Sequence, residues 1–192
     1  MQSFFALIDR LNACSGAERA KAEAEVWSRF GVEKAVLALD MSEFSLSVRR
    51  DGIVSYLGAI RRMQRVSEPI VHACGGAVVK YLADSLMAVF ESVGEAVSAA
   101  VRINQALADP QTGISVSIGI DYGRFLMVPG KDCYGDPINI AYKLGEDLAR
   151  PGEILITTAA RERLEAGFPH ALSEQQVSFS GLQITAYGVR YA

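Results

Sequence analysis

The chain has 192 residues, half of them hydrophobic, and its 22 acidic and 19 basic side chains leave a formal net charge of −3. This length fits a single domain with a buried core, and the acidic balance excludes a general attraction to nucleic acid or to anionic membranes. No apolar run reaches the ~18 residues that a membrane-spanning helix needs. The three cysteines have neither metal-ligand spacing nor a disulfide pattern, so we expect a reduced, cytoplasmic protein.

The N-terminal segment carries helical periodicity in two stretches, residues 3–12 and 16–30. Gly31 follows the second stretch and is a candidate helix C-cap. We therefore predict a helical arm over residues 1–33 that precedes the main domain, residues 34–192. The pattern leaves two roles open for this arm, since it could cover the core or extend a dimer contact.

The main domain is predicted to begin with a strand and a long helix. Residues 35–39 form an apolar run that ends at Asp40. A helix is expected from about residue 53 to 66, with a buried stripe formed by Ile53, Leu57, Ile60 and Met63. Pro69 is expected to prevent its continuation, and residues 70–74 resemble a further strand.

A hairpin comes next, with apolar strands at residues 77–82 and 86–90 and a carboxylate, Asp84, in the turn. Taken alone, the hairpin is equally compatible with a simple Asx-type turn and with a functional carboxylate. Asp40 is a second isolated aspartate at the end of a buried strand. Two such acids favour a divalent-metal site. Lys80 precedes Asp84 by four residues.

The remainder alternates between helices and strands, with no internal repeat and no interdomain linker. Helices are predicted over residues 93–108, 137–149 and 158–166, and strands over residues 114–120, 125–128, 153–156, 177–179 and 184–189, with a turn at residues 121–123. Because several strands follow one another directly, the pattern favours an α+β domain over a doubly wound parallel sheet.

Four stretches together carry a resemblance to a known family. They are residues 37–45, 80–90, 118–123 and 134–144, the last followed by residues 150–156. In this order they resemble the first metal motif, the second metal hairpin, the Gly-Ile-His-x-Gly strand and the catalytic helix of the class III nucleotidyl cyclases. The resemblance covers roughly Ala35 to Tyr191. It implies a ferredoxin-like βαββαβ core with a mostly antiparallel sheet, here preceded by the N-terminal arm.

The resemblance implies an adenylate cyclase that converts ATP into 3′,5′-cyclic AMP and pyrophosphate by attack of the ribose 3′-hydroxyl on the α-phosphate. Asp40 and Asp84 would hold two Mg²⁺ or Mn²⁺ ions, and the Met41 carbonyl would add a ligand. Phe44, in the first metal motif, is assigned to substrate binding.

In this family a partner protomer selects the base, which implies a homodimer with shared active sites. Lys80 matches the lysine that pairs with adenine N1, and Asp132 matches the residue that accepts from the 6-amino group. Complementary hydrogen bonds of this kind discriminate strongly between bases. The two residues together favour ATP.

The catalytic helix carries Asn139 and Lys143, one helical turn apart. By resemblance, the asparagine orients the ribose, and position 143 stabilises the transition-state phosphate. Lys143 replaces the usual arginine, and a lysine lacks the planar fork of a guanidinium. Glu43 and Ala83 also replace glycines that are usual in the family.

These departures leave alternatives open. The chain could be a catalytically weak or inactive cyclase-like dimer that binds nucleotide and regulates another protein. It could also be a cyclase that uses GTP or a pyrimidine triphosphate. An unidentified regulatory partner is left open as well, because no sensor domain is recognisable in the sequence.

Overall fold

The structure, a computed structural model, describes residues 3–42, 48–50, 52–108, 114–179 and 181–191. Its strands are β1 (Gly31–Met41), β2 (Ala77–Leu82), β3 (Ser85–Phe90), β4 (Val116–Val128), β5 (Asp132–Tyr134), β6 (Ile154–Thr157), β7 (Ala171–Phe179) and β8 (Leu182–Arg190). Its helices are α1 (Phe4–Ala13), α2 (Gly16–Phe30), α3 (Ile53–Ala73), α4 (Val93–Leu107), α5 (Asp136–Tyr142), a π-helical turn (Lys143–Leu148) and α6 (Thr158–Arg161).

The described strands form one sheet in the order β2-β3-β1-β4-β6-β8-β7, with β5 paired to β4. β4 and β6 are parallel, whereas β1 pairs antiparallel with both β3 and β4. From β1 to β4 the elements follow the order βαββαβ. The predicted α+β fold with a mostly antiparallel sheet is therefore confirmed.

The pleat of β1 divides the core between the two faces of the sheet, because successive side chains of a strand point to opposite sides. Leu37 and Leu39 pack with α3 and α4, whereas Val36 and Ala38 pack with α5. Asp40 continues the even-numbered series. It therefore lies at the end of the strand on the α5 face.

Helix α3 corrects two predictions. It continues through Pro69 to Ala73, so the strand predicted over residues 70–74 is wrong. Proline removes one backbone hydrogen bond and costs ~3 kcal/mol in a helix interior. Val71, one helical half-turn beyond the proline, is fully buried in the core, and the burial of this last turn offsets the cost.

The buried stripe of α3 also differs from the predicted one. Ile53 is 50 % exposed and Leu57 is 54 % exposed. The side chains that face the core are Tyr56, Ile60, Met63, Ser67 and Val71. This stripe includes Ser67, whose buried hydroxyl donates a hydrogen bond to the Met63 carbonyl at 2.7 Å. An amphipathic pattern that counts only apolar residues misses such a position.

Strand β4 is longer than predicted, and the turn expected at residues 121–123 is wrong. Asp121 is buried within the strand, and its carboxylate accepts hydrogen bonds from the Thr157 hydroxyl and the Tyr122 amide. Burial raises the pKa of Asp121. Because its partners satisfy the buried carboxylate, the strand continues to Val128, along the full length of β1.

The N-terminal arm packs on the far half of β4. A hydrophobic cluster joins the arm to that strand through Phe4, Leu7, Val26 and Val128. Of the two roles left open, this contact supports covering the core, and a dimer contact stays a prediction. The boundary at residue 33 also stays a prediction, although β1 already begins at Gly31. Within the described part of the chain, none of the helices has the length and apolar character to cross a membrane.

Candidate active site

Asp40 lies at the end of β1, where Ser85 is its cross-strand neighbour on β3. The Ser85 hydroxyl donates to Asp40 Oδ1 at 2.9 Å. Burial raises the pKa of Asp40 to about 6, the Ser85 hydrogen bond lowers it, and the charges of Asp84 and Glu146 raise it further. A carboxyl in this environment binds a proton or a cation more readily than one in water does.

Asp84 occupies the turn between β2 and β3, immediately before Ser85. The preceding residue, Ala83, has a φ of 50°, a left-handed conformation that favours glycine. From the opposite face of the sheet, the Tyr56 hydroxyl of α3 donates to Asp84 Oδ2 at 3.1 Å. The antiparallel pairing of β1 and β3 therefore brings the two predicted metal ligands to one end of the sheet.

The donor set at this end suits a hard cation. Asp40 and Asp84 supply carboxylate oxygens, and Met41 supplies a backbone carbonyl. Mg²⁺ characteristically takes one or two protein carboxylates and completes its shell with water and substrate phosphates. Among the described residues no group of three His, Cys, Asp or Glu side chains forms a closed metal cage. Two carboxylates with open positions fit a metal that binds together with a phosphate ligand.

Lys80 and Asp132 are brought together from β2 and β5. The Lys80 ammonium lies 2.8 Å from Asp132 Oδ1 and 2.9 Å from Oδ2. About 30 % of each side chain is exposed. Lys80 pairs across the hairpin with Met87, which belongs to the cluster on the α5 face. Lys80 and Asp40 therefore lie on the same face of the sheet.

The helix predicted over residues 137–149 changes character at Lys143. It is α-helical to Tyr142 and π-helical from Lys143 to Leu148. The Lys143 amide still donates to the Asn139 carbonyl, so the two predicted catalytic residues remain one turn apart. Asn139 is exposed. The Lys143 ammonium pairs with Asp147 at 2.6 Å, and this contact raises the pKa of Lys143.

Two glycines allow this helix to lie directly on the sheet. A Cβ atom on Gly119 of β4 would lie 2.1 Å from the Ala141 carbonyl oxygen, and one on Gly145 would lie 2.8 Å from the Ala38 carbonyl oxygen. Contacts this close exclude any side chain at either position. The backbone-to-backbone approach sets the height of Asn139 and Lys143 above β1 and β4.

Known proteins share this architecture. No protein-family model matches the sequence. A solved adenylate/guanylate cyclase/hydrolase from Silicibacter pomeroyi superposes with a TM-score of 0.67 at 25 % identity, covering 83 % of this chain and 96 % of the other. The adenylyl cyclase CyaB of P. aeruginosa superposes with a TM-score of 0.71 at 17 % identity, covering 84 % and 96 %.

The chain has the fold of a class III nucleotidyl cyclase catalytic domain. The solved cyclases of this fold include guanylyl as well as adenylyl enzymes. One is the core of a rhodopsin-guanylyl cyclase with converted specificity, solved with ATPalphaS, which superposes with a TM-score of 0.71 at 20 % identity and covers 83 % of this chain and 98 % of that one. The cyclase fold alone therefore does not decide between ATP and GTP.

Sequence relatives agree with the cyclase fold. A Rhizobium meliloti (strain 1021) protein, named provisionally as adenylate cyclase 3, is 31 % identical over 134 residues, which are 67 % of this chain and 22 % of that protein. The adenylate cyclase of Streptomyces coelicolor (strain ATCC BAA-471 / A3(2) / M145) is 24 % identical over 164 residues, which are 85 % of this chain and 42 % of that protein. This chain thus matches from about a fifth to two fifths of the length of these relatives.

The candidate site contains residues that the sequence interpretation missed. Glu146 Oε1 lies 3.4 Å from the Ser85 hydroxyl oxygen. The same hydroxyl donates a hydrogen bond to Asp40. Burial and the neighbouring Asp147 raise the pKa of Glu146. Positions 139, 143 and 146 have the spacing i, i+4, i+7 of one helical face. This spacing in the sequence was the signal that could have identified Glu146. Tyr56, in contrast, reaches Asp84 from α3, and no local pattern indicates that contact.

Tyr142 adds a buried polar atom to the candidate site. Its hydroxyl is buried, and within the described ranges it has no hydrogen-bond partner. Burial raises the pKa of Tyr142 to about 12, with smaller contributions from Glu146 and Asp132. Phe44, predicted to bind substrate, lies outside the described residues, as does Glu43.

Proposed function

We propose that this chain is an adenylate cyclase domain that converts ATP into 3′,5′-cyclic AMP and pyrophosphate, with two copies sharing each active site. The observation that carries the proposal is the contact of Lys80 with Asp132. Adenine presents an acceptor at N1 beside a donor at the 6-amino group. With Lys80 placed at N1 and Asp132 at the 6-amino group, as the family resemblance implies, the ammonium and the carboxylate complement adenine in that order, whereas guanine presents a donor at N1 and an acceptor at position 6.

The remaining residues are assigned by what each can do chemically. Asp40, Asp84 and the Met41 carbonyl would hold two Mg²⁺ or Mn²⁺ ions. Bound there, the ions would lower the pKa of the ribose 3′-hydroxyl and neutralise the triphosphate. Asn139 offers an amide to the ribose, and Lys143 places an ammonium near the charge that develops on the α-phosphate.

Sharing of the site between protomers is supported by exposure. Asn139 is exposed in the single chain, and 43 % of the Lys143 side chain is exposed. Both are therefore available to a nucleotide bound against the metal carboxylates of a second copy. The cytoplasmic location and the regulatory partner remain predictions. The proposed activity extends to any longer protein that contains this domain.

One observation favours a second candidate, a weak or inactive cyclase-like dimer that binds nucleotide. The Lys143 ammonium is paired with Asp147 of its own helix turn. It would have to leave this partner to reach a phosphate. A lysine is also a poorer match to a phosphate than the arginine it replaces, because it cannot form two parallel hydrogen bonds.

The test is to incubate the purified protein with each of the four ribonucleoside triphosphates and Mn²⁺ or Mg²⁺, and to identify the products by mass spectrometry. Cyclic AMP is expected, and Asp40→Ala and Asp84→Ala should each abolish it. Glu174→Ala, which removes an exposed carboxylate on β7, is the matched control and should retain activity. A preference for cyclic GMP or a cyclic pyrimidine nucleotide would overturn the assignment to ATP, and undiminished activity in both aspartate variants would overturn the metal site. No product with any nucleotide, together with nucleotide binding, would establish the second candidate.

A further inference from the structure

The strand that carries Asp132 is short and depends on its neighbours. β5 has three residues and pairs with the end of β4, Asp132 opposite Val128 and Tyr134 opposite Leu126. A three-residue strand at the end of a hairpin has few hydrogen bonds of its own and opens readily unless side chains hold it. The position of the Asp132 carboxylate therefore depends on what packs against β5.

Helix α1 of the arm packs against β5 on both sides of Asp132. The rings of Phe4 and Tyr134 are stacked, with centroids 5.6 Å apart and an interplanar angle of 4°. The Lys131 ammonium lies 5.7 Å from the centroid of the Phe5 ring, within the range of a cation–π contact. The residues that immediately flank Asp132 and Cys133 thus both contact α1.

The arm itself is anchored to the rest of the hairpin. The Arg124 guanidinium of β4 lies 4.4 Å from the centre of the Trp27 ring of α2. Phe4 also packs edge-on against Phe30, with centroids 5.0 Å apart. A continuous set of contacts therefore runs from α2 through α1 to β5, and through Asp132 to Lys80.

We propose that α1 holds β5 in the position that presents Asp132 to the nucleotide base, so that Phe4, Phe5 and Tyr134 are positioning residues for base selection. The proposal rests on the proposed function, in which Asp132 and Lys80 recognise adenine. Without the arm contacts, β5 shifts and the carboxylate leaves the Lys80 ammonium. Base discrimination then falls, while the metal carboxylates on β1 and β3 are unaffected.

Cys133 provides a readout that is independent of activity. It follows Asp132 on β5, it is 5 % exposed, and burial raises the pKa of its thiol to about 11. A thiol in this state reacts slowly with alkylating reagents. Its rate of alkylation therefore reports how often β5 opens. Cys74 is only partly buried, follows the end of α3 and serves as an internal reference in the same chain.

The experiment measures two quantities on the full chain, the rate of iodoacetamide labelling at each cysteine by peptide mass spectrometry, and the preference for ATP over GTP. The variants are Tyr134→Ala and Phe5→Ala, which truncate side chains that are 41 % and 50 % exposed and should leave the fold intact. Tyr134→Phe keeps the ring and is the conservative rescue. Leu57→Ala, which truncates a side chain of α3 that is 54 % exposed, is the matched control.

Both alanine variants should raise labelling of Cys133 roughly three- to tenfold, as expected for the loss of one aromatic contact, and should lower the preference for ATP by a similar factor. Tyr134→Phe and Leu57→Ala should leave both quantities unchanged. Unchanged Cys133 labelling would overturn the proposal, as would faster labelling with an unchanged preference. If the protein forms no cyclic product, the affinities for fluorescent ATP and GTP analogues replace the kinetic preference.

Asp132→Ala separates this proposal from the proposed function. If it lowers the preference for ATP while the α1 contact variants do not, the positioning role of the arm is wrong and the base-selecting role stands. If Asp132→Ala leaves the preference unchanged, base selection by Asp132 is wrong. The positioning proposal, which depends on it, then fails even if the labelling shows that α1 restrains β5.

Discussion

Lys80 and Asp132 are 52 positions apart in the chain, yet the ammonium lies 2.8 and 2.9 Å from the two carboxylate oxygens. About 30 % of each side chain stays exposed. An ion pair with this exposure contributes little to stability, about 0–1 kcal/mol. The exposed part of each side chain leaves both charged groups accessible to a ligand, as the proposed base selection requires.

Lys80→Met should separate recognition from stability. The variant keeps the aliphatic stem but removes the donor for adenine N1, so the preference for ATP over GTP should fall by about tenfold or more. The melting temperature should change little. Lys34→Met, which removes an exposed pair with Glu91, is the control, and kcat/KM for both nucleotides is the measurement. An unaltered preference would contradict the role of Lys80.

Ala83→Gly should stabilise the protein. Ala83 has a φ of 50°, a conformation that costs a residue with a Cβ atom roughly 1–2 kcal/mol, whereas glycine adopts it freely. Because glycine also gives the unfolded chain more freedom, the expected net gain is about 1 kcal/mol in urea denaturation.

Gly167→Ala is the reciprocal test at a site with open space. Gly167 has a φ of 91°, and no atom lies within 4 Å of the position that a Cβ atom would take there, so steric contacts do not complicate the result. The variant should lose about 1 kcal/mol for the same reason that Ala83→Gly gains it. Stability that is equal in Ala83→Gly and the parent would show that the turn at Asp84 is not strained.

Asp40 should titrate near pH 6, since burial, together with the charges of Asp84 and Glu146, raises its pKa. A raised pKa means that the folded protein binds this proton more tightly than the unfolded chain does. The contribution of Asp40 to stability should therefore decline as the pH rises from about 4, the ordinary carboxyl value, to about 6. Carboxyl ¹³C NMR against pH measures the value directly.

Glu146→Gln tests the cause of that shift. The variant removes one of the like charges that raise the pKa of Asp40, so the Asp40 titration should move to lower pH. Glu162→Gln, an exposed position after α6, should leave the titration in place. A titration of Asp40 that is equal in both variants would show that Glu146 does not act on it.

Gly119→Ala should displace the helix that carries Asn139. The new Cβ atom would lie 2.1 Å from the Ala141 carbonyl oxygen, and backbone on both sides prevents relief, so we expect a loss of about 3 kcal/mol. Gly58→Ala on α3, where a Cβ atom would have no neighbour within 4 Å, should instead gain up to ~1 kcal/mol from helix propensity. Thermal denaturation checks both. Normal stability of Gly119→Ala would contradict the close approach.

Lys143→Arg should raise turnover of a functioning cyclase. A guanidinium can make two parallel hydrogen bonds to a phosphate, and one well-placed donor is worth a factor of about 10² in turnover. Initial rates of cyclic AMP formation measure the effect, with Lys143→Met as the variant that removes the charge. A large gain indicates a weakened enzyme, whereas no product from either the parent or the arginine variant indicates a nucleotide-binding dimer.

The sequence predicted the parts of this molecule that depend on short-range pattern. Strand β1 was predicted from a continuous apolar run, and the hairpin that carries Asp84 from two apolar runs on either side of a turn. The helix over residues 137–149 was predicted from Pro137, which suits a first helical turn, and from the helix-breaking Pro151 and Gly152. In each case neighbouring residues supply the information, because the periodicity of a strand or helix decides which side chains share a face.

The errors have a common physical origin in long-range contacts. Helix α3 passes Pro69 because the turn beyond it is buried, and β4 passes Asp121 because Thr157, 36 residues away, satisfies the carboxylate. Neither compensation is visible within a local window. Local propensities are worth about 1 kcal/mol or less per ordinary residue, and burial of a single large apolar side chain exceeds that.

By itself, the sequence determined most of the strands and helices, the resemblance to the class III cyclases and the choice of most candidate site residues. Only the tertiary structure decided how they meet. It placed Lys80 against Asp132, the Ser85 hydroxyl between Asp40 and Glu146, and helix α1 against the strand that carries Asp132. These contacts join distant segments, and their geometry follows from sheet register and helix packing, which the whole chain determines together.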